Sequence, residues 1–318
     1  MLLGGFLCLI ASMSWGAMFP VANHSFQYIE PFYFTIFRYV SVAIILAIIL
    51  YFKEGKVAFR TEGKGFLIWF LGTMAFTVYN LFIFWGQDQL GDSGTLLASI
   101  MEALMPMISV LIIWFVYRKR PNSRTLGCIL IAFVGVLCVI TKGDFSSLAT
   151  IGGDVIPLLA LLASVIGWVL YTMGGGKFLG WSILRYSTLT CIYGTITAAI
   201  FVAITTALGY VEVPSIPAVM TVKWDLAFMI IFPGIIALLG WNVGVKMINP
   251  VNALLFINFV PITTVLIQFI QGQPLTTFDI LGIFLVIFGL SLNNILQRVY
   301  SKKQTQKKFQ SKRQLRSA

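Results

Sequence analysis

Ten apolar runs divide the chain: 2–22, 31–52, 65–85, 93–116, 123–141, 151–172, 182–206, 225–246, 250–271 and 277–297, of which the seventh also admits a shorter reading. Most are about 20 residues long, the length a helix rising about 1.5 Å per residue needs to cross a hydrocarbon core about 30 Å thick. Turn formers and charged residues collect between the runs. The pattern therefore predicts an all-α polytopic membrane protein with ten transmembrane helices.

The runs fall into two sets of five. The stretch LASIMEALMPMISVLIIWFVYRKRPNSRTLG aligns with NALLFINFVPITTVLIQFIQGQPLTTFDILG at one offset. It pairs Ala98 with Ala253, Pro106 with Pro261, Leu111 with Leu266, Ile112 with Ile267 and Gly127 with Gly282. With one-residue gaps Trp85 pairs with Trp241, and ASMSWG from Ala11 matches ASVIGW from Ala163. Collinear matches of this kind predict a duplication, residues 1–145 and 146–297, followed by a basic tail over 298–318 expected to be disordered. Five spans is an odd number, so the second half is expected to enter the membrane from the opposite side. Inverted repeats are a recurrent design of secondary transporters, with the solute held near mid-membrane between the halves.

Composition sharpens the picture. The chain has 318 residues, 58% hydrophobic and 10% charged, too few polar side chains to cover a soluble domain of that size. The net charge of +11 would suit nucleic acid, but its placement follows topology instead. Nineteen lysines and arginines fall in loops and a tail on one side, against Lys142 and Lys223 on the other, with Arg38 inside a span. Positive charge marks the cytoplasmic side, so both termini are expected there, in the cell membrane. The opposite loops carry Glu30, Asp88, Asp92, Asp144, Asp154 and Glu212. The first run begins at Met1 without a basic stretch or cleavage site and reads as a retained helix. Cys8, Cys128, Cys138 and Cys191 all lie in apolar runs, with neither disulfide nor metal spacing.

Two motifs invite enzymatic readings. Gly91-Asp92-Ser93-Gly94 resembles a serine nucleophile motif, yet its counterpart in the second half is Asn249-Pro250. What the pair shares is a helix start, since Asn, Ser and Asp are N-caps and Pro suits the first helical position. Ser93 is thus expected to cap, and the one histidine, His24, has no carboxylate evidently placed to orient it as a base. GGGK at Gly174 to Lys177 lacks the spacing of a phosphate loop. An intramembrane hydrolase at Ser93 and a non-transporting sensor or scaffold remain as alternatives. No nucleotide-hydrolysing motif is visible, so a solute or proton gradient would drive transport.

Trp15-Gly16 in the first run, Pro31 opening the second and Arg38 followed by Tyr39 resemble the EamA-like family of the drug/metabolite transporter superfamily. So does the sequence of Pro106, a hydrophobic stretch, a short basic turn and Gly127, repeated at Pro261 and Gly282. The resemblance covers about residues 5–296. It implies ten helices, cytoplasmic termini and export of metabolites, amino acids or toxic compounds. A glutamate that the family often has after the fourth and ninth spans is replaced here by Lys119 and Pro274.

The candidate site lies at mid-depth. Pro106 and Pro261 would kink the fourth and ninth helices and free the carbonyls of Glu102 and Ile257. Glu102 is an intramembrane carboxylate, by default a functional group. Arg38 lies at about 10 Å depth and Glu102 at about 14 Å, so depth permits a pair. Three roles stay open for Glu102: a structural pair with Arg38, a substrate-ammonium site, and a proton or charge site that includes Arg38. Trp15, Tyr79, Asn80, Trp168, Tyr171, Trp241, Asn242 and Asn258 complete an aromatic and amide lining suited to an amphipathic small organic solute. Trp85 and Trp224 read as interfacial anchors, and Gly127, Gly135, Gly282 and Gly289 as sites of close helix packing. The partners expected are the solute, the lipid bilayer and a coupling proton, with no nucleic acid, metal or cofactor; the oligomeric state stays open.

Overall fold

A computed structural model describes residues 2–118, 120, 123–141, 143, 155–289, 291–292 and 295–296. The tail, the 144–154 connection and Lys119 therefore lie outside the described residues. Every regular element among the described residues is helical. The longer ones are α1 Leu2–Phe26, α2 Pro31–Glu54, α3 Gly65–Gln89, α4 Gly94–Ala103, α5 Met105–Tyr117, α6 Ser123–Thr141, α7 Val155–Gly174, α8 Ile183–Ala207, α9 Lys223–Ile248, α10 Pro250–Ile270 and α11 Thr277–Gly289. Seven are long and apolar enough to cross a membrane, or eight when the bent pair α4–α5 counts as one span. Among the described residues eight of the ten expected spans are full-length, and the fifth and tenth runs, which border residues outside the description, hold the shorter apolar helices Leu130–Val139 in α6 and α11.

Helix ends follow local chemistry. Pro31 opens α2 at a first-turn position, where no amide partner is lost. Gly55, at φ +73°, closes it by returning its N–H to the Tyr51 carbonyl. The Ser182 hydroxyl accepts from the Arg185 amide at 2.9 Å to cap α8, and Asn249 accepts from the Asn252 amide at 3.1 Å to cap α10. The matching Ser93 precedes α4 but makes no side-chain capping bond, which corrects the expectation for it. A 3-10 turn over Gly91–Ser93 leads in instead. Gly94 lies so tightly on Gln87 that any side chain there would strike the Gln87 carbonyl.

Two helices carry matching irregularities. A π turn spans Thr73–Tyr79 in α3 and another Ile230–Ile236 in α9. They fall within one residue of each other in the register that pairs Trp85 with Trp241. A π turn pushes carbonyls out of the helical ladder, and such turns gather at functional sites. The Asn80 amide donates to the Ala75 carbonyl at 2.7 Å, and the Trp15 indole donates to the Pro233 carbonyl at 3.2 Å. The fourth and ninth runs are irregular too. α4 and α5 bend by 48° at Leu104, and a 3-10 turn occupies Leu254–Asn258 within α10. In the first case the break precedes the proline: Pro106 begins a new helix, so it does not kink a continuous one.

Packing exchanges helices between the halves. α1 lies against α9 and α10, while α7 lies against α3 and α4. α2 and α3 both pack on α8. Small residues make the crossings close. Added Cβ atoms at Gly72 and Gly194 would each run into the other's helix backbone, and Gly135 and Gly282 face each other in the same way between α6 and α11. Gly289 approaches the Cys128 carbonyl, whereas nothing lies within 4 Å of a Cβ on Gly127, so the packing role expected of Gly127 is not found. Ile44, Ile48, Phe133, Ile196, Ile200 and Leu266 stay exposed, as expected for side chains facing lipid. Trp224 is exposed, as an interfacial ring would be, and Trp85 is half-buried.

Candidate functional site

Charge separates to the two ends of the bundle. At one end, the loop after α2 docks on the start of α8. Arg185 donates to Glu62 at 2.7 Å and to the Arg60 carbonyl at 2.6 Å, with its guanidinium 3.9 Å from the Trp181 ring centre. The Trp181 indole donates to the other Glu62 oxygen at 2.8 Å, and Lys64 donates to the Lys177 carbonyl at 3.0 Å. Hydrogen bonds from Arg185 and then Trp181 hold the Glu62 carboxyl below its ordinary 4.5. A depressed carboxyl stabilises the latch above its ordinary range and loses that contribution as pH falls through the depressed value. Glu62→Gln is accordingly expected to speed amide exchange across residues 56–64 at neutral pH, with the difference from wild type lost as pH falls through the depressed value. Equal protection of the two proteins at pH 7 would refute the latch.

The other end is acidic. Glu30, Asp88 and Glu212 line a polar cavity of about 470 Å³ with Gln27, Tyr28 and Ser215. Burial, then the charges of Asp88 and Glu212, push the Glu30 carboxyl up. Nearby, His24 Nδ1 lies 2.6 Å from Asp225, which also accepts from Ser25 at 3.0 Å. The histidine thus has an orienting carboxylate, contrary to expectation. No hydrogen bond among the described residues joins it to Ser93, so the two do not form a nucleophile–base pair.

Between the ends sits an aromatic cluster. The Trp15 ring centre lies 5.1 Å from both Trp168 and Trp241, edge to face. Trp168 meets Tyr79 at 5.0 Å and Tyr171 at 5.2 Å. Asn242 donates to the Tyr171 hydroxyl at 2.8 Å and to Ser187 at 2.9 Å, and the Trp241 indole donates to Thr172 at 3.3 Å. Tyr79 donates to Glu102, which is fully buried. Of the expected lining, Trp15, Tyr79, Glu102, Trp168, Tyr171, Trp241 and Asn242 are therefore brought together. Asn258 is buried on α10, joined to the cluster by no hydrogen bond or ring contact among the described residues.

Arg38 and Glu102 do not form the ion pair that depth permits. Arg38 is 1% exposed, with its Nη1 3.4 Å from the Asn80 side-chain Oδ1 and 3.9 Å from the Met18 sulfur. Its guanidinium sits 4.6 Å from the Tyr39 ring centre and 5.8 Å from that of Phe84. Aromatic faces and an amide dipole stand in for a carboxylate. Asn80 thus serves Arg38 and the π turn, not the aromatic cluster. Because Arg38 has other partners, one Glu102 oxygen is left without a hydrogen bond, as are the Trp168 indole N–H and the Asn258 carbonyl oxygen. Buried polar atoms are almost always satisfied, and these three are among nine left unpaired among the described residues, the Arg38 Nε another of them.

Access differs between the two ends. Towards the acidic end, Phe19, Phe26, Phe34 and Phe84 interlock edge to face at 5.5–6.5 Å. Towards the basic end, a cavity of about 300 Å³ reaches Thr172 and Asn242 on the flank of the cluster. Sequence reasoning missed Thr172, Ser187 and Tyr186, the last stacked on Tyr171 at 5.3 Å. Threonines and serines inside apolar helices usually bond their own backbone, so no sequence signal separates these from the rest.

Comparison with known proteins agrees with this architecture. The model of the EamA-like transporter family matches residues 2–141 and 155–295. The chain is 52% identical to the uncharacterized transporter YrdR of Bacillus subtilis (strain 168) over 96% of this chain and 95% of that one. It is 28% identical to the uncharacterized transporter YyaM of the same organism, over 86% and 88%. A solved crystal structure, 17% identical across 93% of this chain and 98% of its own, superposes with a TM-score of 0.68, which shows a shared fold. With the family model covering nearly every described residue and a relative sharing half of its sequence, the chain belongs to the EamA-like transporter family.

Proposed function

We propose that this protein is a secondary transporter of small organic solutes that works by alternating access between two inverted five-helix halves, 1–145 and 146–297, and exports its solute across the cytoplasmic membrane. The observation that carries the reading is the aromatic cluster held by exchanged helices: α1 of one half clasped by α9 and α10, α7 of the other by α3 and α4, meeting at Trp15 and Trp168. Matched π turns in α3 and α9 and matched breaks near Leu104 and Leu254–Asn258 support descent of both halves from one unit. Two similar halves that swap conformations turn a cavity at one end into a cavity at the other. The phenylalanine plug at the acidic end and the cavity at the basic end then correspond to an inward-facing state, with the basic end and both termini in the cytosol.

Glu102 is the charged group of the solute path. Its one partner is neutral and its second oxygen is unpaired, so a proton or a solute ammonium completes it. The aromatic faces around it offer apolar and cation–π contact to the body of the solute.

Counterflow in proteoliposomes tests the reading. A panel of amino acids, organic cations and organic acids is expected to include a solute that exchanges down its own gradient, and impermeant labelling of single cysteines is expected to reach Glu30 from outside only and Lys56 from inside only. Absence of exchange across the panel, or labelling of Lys56 from outside, would defeat it.

A further inference from the structure

The cavity at the basic end has a lining that selects a charge. Its walls include Phe178, Trp181 and Tyr186, its floor is Thr172 and Asn242, and Lys246 is its one charged lining residue. Among the described residues no hydrogen bond or ion pair engages the Lys246 ammonium, and the residue is exposed. The aromatic walls already hold cations. Lys64 lies 5.2 Å from the Phe178 ring centre and 5.9 Å from that of Trp181, and Arg185 covers the Trp181 ring. The two acids bonded to lining residues are both engaged: Glu62 accepts from Arg185 and Trp181, and Glu54 accepts from Ser182 at 2.6 Å. A cationic ligand would therefore meet an uncompensated lysine and, beside Phe178 and Trp181, the charges of Lys64 and Arg185 as well. An anion meets a free ammonium, and an apolar body attached to it meets three aromatic rings. The volume of about 300 Å³ lies at the lower end of the range for small-molecule sites.

We propose that this cavity is a loading site for organic carboxylates with an aromatic or aliphatic body, with Lys246 holding the carboxylate and Phe178, Trp181 and Tyr186 the body. Asn242 and Thr172 connect it to the central cluster, through Tyr171 and Trp241 respectively. The acidic cavity at the opposite end, lined by Glu30, Asp88 and Glu212, repels the same anion. Loading is favoured at one mouth and rebinding disfavoured at the other. The inference rests on the transport reading above only for the sequence of steps; the binding itself is independent of it.

Equilibrium dialysis of the full-length protein in lipid nanodiscs tests it, with radiolabelled 3-phenylpropionate as probe and 3-phenylpropanamide and 3-phenylpropylamine as its neutral and cationic counterparts. The carboxylate is expected to bind saturably and about tenfold or more tighter than either counterpart, the margin of a charge-assisted hydrogen bond. Lys246→Gln is expected to erase that margin and Lys246→Arg to keep it. Equal binding of the three probes, no binding of the carboxylate, or indifference to Lys246→Gln overturns the proposal. Loss of all probe binding when phosphatidylglycerol replaces neutral lipid assigns the cavity to lipid headgroups, and overturns it too. Counterflow of the panel solutes on the same preparation separates the two readings. Lys246-independent binding alongside solute exchange removes the loading site and leaves the transporter. Lys246-dependent binding without any exchange upholds the cavity and removes the transporter.

Discussion

Gly194→Val is expected to destroy the native packing of α3 on α8, a loss of about 3 kcal/mol or more. A Cβ on Gly194 meets the Gly72 backbone and, at 2.8 Å, the Phe76 Cβ, while a Cβ on Gly72 meets the Thr190 carbonyl. Neither obstacle is the free end of a flexible side chain, so the helices themselves must part. Parting breaks the bond from the Thr77 hydroxyl to the Gly194 carbonyl, 2.8 Å long, which ties the π turn of α3 to α8. It also withdraws Phe76, whose ring centre lies 5.8 Å from Tyr171 in the cluster and 5.1 Å from Tyr39 beside Arg38. Without water to drive association, helices in lipid rely on such close contact, so the lost fit has little to replace it. Gly176→Ala, where an added Cβ meets nothing within 4 Å, is the control and is expected to leave stability unchanged. Thermal denaturation in detergent or nanodiscs reads both. A Gly194→Val protein melting within a few degrees of wild type would show that the two helices are not held as tightly as the backbone contact requires.

The spans, their ends and their family were legible because they follow from apolar length, Pro and Asn positions, and the pairing of residues 98–127 with 253–282. The π turns were not. Nothing in TMAFTVY announces a widened turn, and in IIFPGII the missing amide of Pro233 marks a defect without saying which kind. The aromatic site was legible as a set of depths, which is why Trp15, Trp168, Trp241, Tyr171 and Tyr79 came together as expected. Its pairings were hidden, since depth does not fix azimuth. Arg38 and Glu102 share a depth-range, yet Asn80 and Tyr39 intercept the arginine and Tyr79 takes the acid. Ser93 failed as a cap for a local reason: it lies in a 3-10 turn with a helical backbone, φ −86° and ψ −13°, whereas a capping residue takes an extended one.

These misplacements share a direction. Each polar group that sequence reasoning paired across helices is engaged by a neighbour on a helix defect, and the defects recur in both halves. Asn80 closes the first π turn while receiving Arg38, and Trp15 closes the second while packing on Trp168 and Trp241. A change of shape in the second turn is thereby coupled to the cluster through Trp15, and one in the first through Tyr79, which the turn itself carries against Trp168. On the proposed alternating-access reading, that coupling gives the rocking motion its physical content: the defect would be where a helix bends, and the ring bonded to it what moves.

Glu102→Gln is expected to lower solute exchange by about tenfold or more while leaving insertion and folding intact, because it removes the charge without the bulk. The amide oxygen still accepts from Tyr79, so the local packing survives. The unpaired carboxylate oxygen, the feature that calls for a proton or an ammonium, is replaced by a donor. Both functional roles then fail, and pH separates them. A proton site predicts that exchange loses its pH dependence in Glu102→Gln; an ammonium site predicts weaker apparent affinity for amine-bearing solutes with the pH profile kept. Tyr79→Phe supplies the complementary change. It strips Glu102 of its one hydrogen bond and leaves the charge, so it is expected to cost about 1–3 kcal/mol of stability, where Glu102→Gln costs little. If Glu102 were a packing residue, the order would reverse: Glu102→Gln would exchange solute with wild-type rates and an unchanged pH profile, and its role in transport would be gone.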